Sequence, residues 1–241
     1  MTGLRIPVRF NGPPGSANGG YTCGLVADLL GGQGPCEVSL RAPPALDRDL
    51  EVEREGQRLV VRDGPTVVAQ GRRAELELDP GPAVTPQAAS EASAGGLGRW
   101  AAGHPFPTCV VCGPDREPGD GFEIFPAPIE EGARFAAGWV PHGSLAADDE
   151  TVRPECVWAA LDCPTSAPLA NYGAGPPIVL ARLTASLDSP VAVGEPHALV
   201  SWALGRDGRK REAACVLFDS SGRPLARARA LWIELRESSR S

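Results

Sequence analysis

Hydrophobic and polar residues divide the chain into two stretches with the same order of elements: a strand, a helix and then several strands. In the first stretch, Arg5 to Phe10 alternates enough to predict a strand. Apolar residues between Leu25 and Leu30 share one face of a helix, which a glycine pair at positions 31 and 32 ends. Alternating apolar and charged residues then predict antiparallel strands with one wet face, within CEVSLRA, DLEVEREG, QRLVVRDG and TVVAQGRRAELEL.

The second stretch repeats this order around an apolar helix. Pro154 fits the first turn of that helix, where its missing N–H is not needed, and Pro164 predicts a kink or an end near Cys163. Four further strands are predicted within IVLARLTASLDSPV, HALVSWALGRDG, REAACVLFDSSG and PLARARALWIELR. A long apolar helix followed by antiparallel strands is most simply buried when the sheet wraps around the helix.

Between the two stretches, Asp79 to Gly98 has no hydrophobic period and is rich in Pro, Ala, Ser and Gly. This composition is typical of a flexible connection. We therefore predict an α+β protein with a first unit over residues 1–80, a linker over 81–103 and a second unit over 104–238.

Charge and composition exclude several classes of function. The net charge is −7, Lys210 is the only lysine and the arginines are scattered among acidic residues, so the chain lacks the basic stripe that nucleic-acid binding requires. No apolar window is long enough to span a bilayer, and MTGLRIPVRF lacks the features of a secretion signal. The seven cysteines are an odd number in a chain too large to need disulfides, which favours reduced thiols. We expect a cytoplasmic protein with no membrane or nucleic-acid partner.

One carboxylate, Asp162, falls in the helix after Pro154 at a position where the pattern otherwise has apolar residues. A buried carboxylate is either paired in a structural role or held partly desolvated for chemistry. The residues alone favour the structural role, because most such positions are not catalytic.

The first helix begins with Asn18, Gly19 and Gly20. Asn18 is a good N-cap, and two glycines in the first turn let a ligand approach bare backbone N–H groups, which attract anions. The alternative is that the glycines only allow close packing of this helix on a sheet. The sequence supports both interpretations equally.

The Cys109-x-x-Cys112 pair, with His104 close by, suggests a metal site. A structural zinc ion needs four ligands, however, and no second pair appears at the usual spacing, since Cys156 and Cys163 are seven residues apart. We therefore predict no metal and no cofactor, and interpret these cysteines as small apolar residues of the core.

A redox role for the same cysteine pair is also disfavoured. A redox-active thiol is typically placed at a helix N-terminus, whereas Gly113 and Pro114 break the chain into a turn directly after this pair. The chain has three histidines and none follows a Gly-x-Ser-x-Gly elbow, so no serine or cysteine triad is predicted.

Three motifs resemble those of one family. CVVCGPDREPGDGFEI is similar to the opening of single-hotdog thioesterases of the phenylacetic-acid type, with an insertion at Gly119-Asp120. Asn18-Gly-Gly resembles the His/Asn-Gly-Gly segment at the start of the hotdog helix, and VWAALD, which ends at Asp162, resembles the stretch that holds the catalytic acid. With its repeated element order, the chain resembles double-hotdog acyl-CoA thioesterases.

This resemblance implies a tandem double hotdog, each unit a long helix wrapped by an antiparallel sheet, that hydrolyses an acyl-CoA or related thioester without a cofactor. The N–H groups of Gly20 and Tyr21 would form the oxyanion hole, Asn18 would orient water or the carbonyl, and Asp162 would act as base or nucleophile. A homodimer is also expected. The predicted substrate-binding residues are Gly19, Trp158, Thr165 and Ser166.

The resemblance also implies only one working site. Pro154 and Glu155 stand where the second unit should have its glycines, and Asp28 is rotated on its helix relative to the position of Asp162. Two alternatives remain open. One is a non-catalytic acyl-CoA or fatty-acyl binding module on the same fold, and the other is an acyltransferase.

Overall fold

The computed structural model describes residues 2–31, 34–170 and 176–235. Within them, eleven strands form one sheet in which every pair of neighbours is antiparallel. The strands are β1 (Thr2–Arg5), β2 (Cys36–Leu40), β3 (Asp49–Glu55), β4 (Arg58–Asp63), β5 (Thr66–Arg73), β6 (Ala127–Ile129), β7 (Arg134–Trp139), β8 (Ile178–Leu187), β9 (His197–Asp207), β10 (Lys210–Phe218) and β11 (Pro224–Glu234). The α-helices are α1 (Gly19–Leu29), α2 (Pro86–Ala101) and α3 (Pro154–Ser166), and short 3-10 helices cover Val8–Phe10, Glu130–Gly132 and Gly143–Leu145.

Five strands follow the same order in each half of the chain, and the second half adds β6 at its outer edge. The sheet runs β1-β3-β4-β5-β2 through the first half and β8-β11-β10-β9-β7-β6 through the second. Strands β2 and β8, each the first strand after its helix, pair with each other in the middle of the sheet, where Val38 lies opposite Leu183. The predicted strands after each helix are therefore confirmed, and the two halves share one continuous sheet.

Helices α1 and α3 pack against each other and against one face of this sheet. Both helices are apolar on nearly every side, as expected for helices enclosed between a sheet and another helix. Gly24 allows their close approach, since a Cβ there would lie 2.5 Å from the Cα of Glu155. The ends of the two helices that hold Asn18 and Asp162 are thereby brought together.

Helix α2 corrects the prediction of a flexible connection. Residues 86–101 form a helix that covers the opposite face of the sheet, and its N-cap Thr85 accepts a hydrogen bond from the Ala88 N–H. Ala89 packs there with Val200, Val216 and other buried residues of β7, β9 and β10. Because β10 is thus covered on both faces, its residues from Ala213 to Phe218 are buried without alternation.

Two further boundaries differ from the predictions. The first strand ends at Arg5, and Val8–Phe10 forms a 3-10 helix after Pro7, which cannot donate a ladder hydrogen bond. Helix α3 continues through Pro164 to Ser166 instead of ending at Cys163.

Helix α1 ends at Leu29 with Leu30 as its C-cap, directly before the predicted glycine pair, and Gly31 has a positive φ of 99°. Gly32 and residues 236–238 of the second unit lie outside the described residues. No helix in the described part of the chain has the length and apolar composition needed to cross a membrane.

Candidate functional site

A pocket of about 940 Å³ opens between the start of α1, the end of α3 and the loops around them. Its walls are mainly apolar and come from proline-rich loops, from β2 and β8 and from the end of β11. Among its described lining residues, Arg41 is the only arginine or lysine, and it is exposed at the surface. The apolar lining includes Pro13, Leu40, Pro44, Phe106, Leu180 and Trp232.

Asp162 lines this pocket from α3 and is only 2% exposed. Its Oδ2 accepts a 2.8 Å hydrogen bond from the Gly20 N–H, whereas its Oδ1 has no hydrogen-bond partner among the described residues. Burial raises the pKa of Asp162 from its ordinary value to about 7, and the Gly20 N–H opposes this shift. A carboxyl group with a pKa near neutrality is suited to both accept and return a proton.

Gly20 is required where the two helices meet. A Cβ at this position would lie 2.4 Å from the Cβ of Asp162 and 2.7 Å from the Trp158 carbonyl oxygen. Gly20 therefore allows close packing of the two helices, whereas Gly19 packs against the sheet, since a Cβ there would lie 2.9 Å from Leu180 Cδ2 in β8. The contact between the two helices lets the Gly20 N–H reach the carboxylate.

The first three N–H groups of α1 differ in their hydrogen-bond acceptors. Asn18 caps the helix, because its Oδ1 accepts a 2.8 Å hydrogen bond from the Tyr21 N–H. The two predicted oxyanion donors, the N–H groups of Gly20 and Tyr21, are thus engaged by Asp162 and Asn18. The Gly19 N–H has no acceptor among the residues that the structure describes, and Gly19 lines the pocket.

Of the other predicted substrate-binding residues, Ser166 lines the pocket, but its hydroxyl donates to the Cys163 carbonyl oxygen. Thr165 is fully buried; it donates to the Asp162 carbonyl oxygen and accepts from Trp232 Nε1, with which it forms a 2.8 Å hydrogen bond. The side chain of Trp158 is buried in the core, and neither it nor Thr165 is among the described lining residues. Both hydroxyl groups therefore donate to backbone carbonyl oxygens of their own helix.

A second site, formed by Asp28 of α1 and the start of α3, would differ from the first as the sequence predicts. Asp28 on α1 is exposed, so it does not reproduce the buried environment of Asp162. At the start of α3, Pro154 offers no N–H, and Glu155 forms an ion pair with Arg153. This end of the helix pair lacks both a buried acid and glycine amides.

Sequence reasoning did not group Cys163 with the Cys109–Cys112 pair. All three sulfur atoms lie within 4.8 Å of one another, are buried and line the same pocket as Asp162. The only local signal was the position of Cys163 directly after Asp162, because the two cysteine segments are 54 residues apart.

No family model and no curated protein sequence matches the chain. Solved structures do match its fold. The tesB protein of Mycobacterium avium subs. paratuberculosis has a TM-score of 0.60 at 14% identity, with 97% of this chain and 91% of that chain covered. A candidate thioesterase of Novosphingobium aromaticivorans has a TM-score of 0.62 at 14% identity, with 97% and 95% covered. A candidate oleoyl thioesterase of Lactobacillus plantarum has a TM-score of 0.57 at 13% identity, with 98% and 96% covered.

These similarities extend over nearly the whole chain and show its fold. The chain has the hotdog fold of thioesterase-like proteins, which confirms the predicted resemblance at the level of fold.

Proposed function

We propose that this chain is a thioesterase built as a tandem double hotdog, with its units and connection near residues 1–80, 81–103 and 104–238. The observation that supports this most directly is the carboxylate of Asp162, buried in an apolar pocket with one oxygen free and the other bound to the N-terminal turn of α1. The shared strand order of the two halves supports the tandem arrangement. Helix α2 then belongs to the connection between the units.

The arrangement suits attack of water on a thioester carbonyl. Asp162 Oδ1 takes a proton as the water oxygen bonds to the carbonyl carbon, and this proton passes to the thiolate when the carbon–sulfur bond breaks. The Gly19 N–H, at the positive end of the α1 dipole, donates to the carbonyl oxygen as its negative charge develops. Asn18 holds the first turn in place through the Tyr21 N–H.

The proposed substrate is an acyl-CoA. The apolar walls suit the acyl group, and Arg41 at the pocket suits the phosphate groups of CoA. We also propose the cytoplasm as its compartment, since all seven cysteines are free thiols.

The test is hydrolysis of acyl-CoAs of several chain lengths, followed by release of the CoA thiol, with Asp162→Asn compared with Asp28→Asn. Loss of general-base catalysis lowers kcat by about 10²- to 10⁴-fold in Asp162→Asn. The exposed Asp28 serves as the matched control and should leave kcat unchanged. Equal turnover in wild type and Asp162→Asn contradicts the proposal.

Two other results assign a different function. Binding of acyl-CoA without turnover, unaffected by Asp162→Asn, identifies a binding module. Thiol release that requires an added alcohol or amine identifies an acyltransferase.

A further inference from the structure

Three cysteine side chains from two distant segments meet beside the pocket. Cys109 and Cys112 lie in the loop after α2, and Cys163 lies in α3. The sulfur atoms of Cys109 and Cys163 are 3.8 Å apart, and all three lie within 4.8 Å of one another. All three residues are at most 5% exposed. The three sulfurs are therefore held together by the tertiary fold.

These separations match the ligand shell of a zinc ion. With Zn–S distances of about 2.3 Å in a tetrahedron, neighbouring thiolate sulfurs lie about 3.8 Å apart. Sulfur ligands also select soft cations over the hard cations that prefer carboxylates. The cluster offers the right donor atoms at nearly the required spacing, so little movement of the chain is needed to close them around an ion.

The loop that holds the first two cysteines makes a tight turn after Cys109. The Gly113 N–H donates a 2.8 Å hydrogen bond to the Cys109 carbonyl oxygen, and a Cβ on Gly113 would lie 2.5 Å from the Cys109 nitrogen. Only glycine fits there.

Neutral N–H donors supply the outer contacts of the sulfur cluster. The Nδ2 of Asn18 lies 3.8 Å from both the Cys109 and the Cys163 sulfurs. His104 accepts the Phe106 N–H at Nδ1, so its neutral ring carries the proton on Nε2, 3.3 Å from the Cys112 sulfur. Donors of this kind stabilise thiolates in the shell around a metal.

We propose that Cys109, Cys112 and Cys163 bind one Zn²⁺ ion as thiolates. The ring of His104 stays outside the ligand set, because ligation through Nε2 would require the proton to move to Nδ1 and break the bond to the Phe106 N–H. A solvent molecule from the pocket takes the fourth position, since all three cysteines line it. The ion joins the loop after α2 to the end of α3, beside Asp162.

The experiment measures metal content in the full chain, purified under reducing conditions, before and after addition of zinc chloride. Wild type should bind one zinc ion per chain. Replacing zinc with cobalt should give the intense thiolate-to-cobalt charge-transfer band and the visible bands of a tetrahedral ion. Cys109→Ala, Cys112→Ala and Cys163→Ala should each lose this spectrum. Cys215→Ala, a buried cysteine in β10 outside the cluster, is the matched control and should keep it.

Thermal unfolding shows whether each variant is folded and whether metal stabilises it. A chelator should lower the Tm of wild type and of Cys215→Ala, but it should not change the Tm of the three cluster variants. The proposal is overturned if the reduced wild type takes up neither zinc nor cobalt, or if Cys163→Ala binds as much metal as wild type. These readouts do not depend on thioester hydrolysis, so the two proposals can fail separately.

Discussion

The backbone N–H of Gly20 donates a 2.8 Å hydrogen bond to Oδ2 of Asp162, across 142 residues of sequence. This bond joins the first turn of α1 to the last turns of α3 and leaves Oδ1 of the carboxylate free. It depends on the missing side chain of Gly20, because no Cβ fits between the two helices there. The orientation of the acid is therefore set by helix packing.

Gly20→Ala should separate the helices and destabilise the protein. Forcing an extra carbon into a packed interface costs about 1–3 kcal/mol, and for a chain of this size each kcal/mol lowers the Tm by about 2–4 °C. Gly98→Ala is the matched control, since Gly98 lies in α2 with open space around a Cβ. That control should gain up to about 1 kcal/mol. Equal Tm changes in the two variants would mean that the contact is not tight.

Arg41→Gln tests whether the cation at the pocket binds CoA phosphates. An exposed ion pair contributes about 0.2–1 kcal/mol, so KM for an acyl-CoA should rise by about 1.4- to 5-fold with little change in kcat. The KM for an acyl thioester of N-acetylcysteamine, which has no phosphate, should not change. Arg58→Gln, an exposed arginine of β4 outside the pocket lining, is the control. An equal rise in KM for both substrates contradicts a phosphate contact.

Thr165→Val tests the structural role of a residue that the sequence suggested for substrate binding. Its hydroxyl is the acceptor for Trp232 Nε1, and leaving a buried donor unpaired costs about 1–3 kcal/mol. Urea unfolding should show this loss while kcat/KM stays near wild type. Ser166→Ala, which removes only a contact to a local carbonyl, should cost less. A fall in kcat/KM without a loss of stability would instead place Thr165 in contact with substrate.

The parts of the site that follow local rules could be predicted from the sequence. Asn18 was found because an N-cap precedes its helix directly, and Asp162 because a charge interrupts an apolar stripe. The free N–H at Gly19 could not be assigned, since it depends on which groups Asp162 and Asn18 engage. The sulfur cluster could not be assembled either, because the fold alone brings Cys163 to Cys109.

Helix α2 shows that tertiary contacts can determine the secondary structure of a segment whose own sequence favours no particular structure. Its small residues give no hydrophobic period, but they let the helix lie very close to β7. A Cβ on Gly138 would lie 2.1 Å from the Ser90 hydroxyl oxygen, and the Gly138 N–H donates to the Ser93 hydroxyl. The same residues that resemble a linker in the sequence therefore permit close packing on the sheet.

The turn between β10 and β11 gives a prediction that depends on pH. Asp219 accepts hydrogen bonds from the N–H and hydroxyl of Ser221 and from the N–H of Arg223, and these contacts lower the pKa of its carboxyl below the ordinary value of 3.8. A carboxyl whose folded pKa is lowered stabilises the fold above its unfolded pKa. It loses this effect as pH falls through the folded pKa.

Asp219→Asn should therefore lower the free energy of unfolding by up to about 1 kcal/mol at neutral pH, because the charged contacts lie near the surface. The difference from wild type should shrink as the pH falls below 4 and vanish once both chains are neutral at this position. Urea unfolding across the acid range measures it, with Asp207→Asn as the control at an exposed aspartate of β9. A deficit that stays constant with pH would show that side-chain shape, and not the charge of Asp219, stabilises the turn.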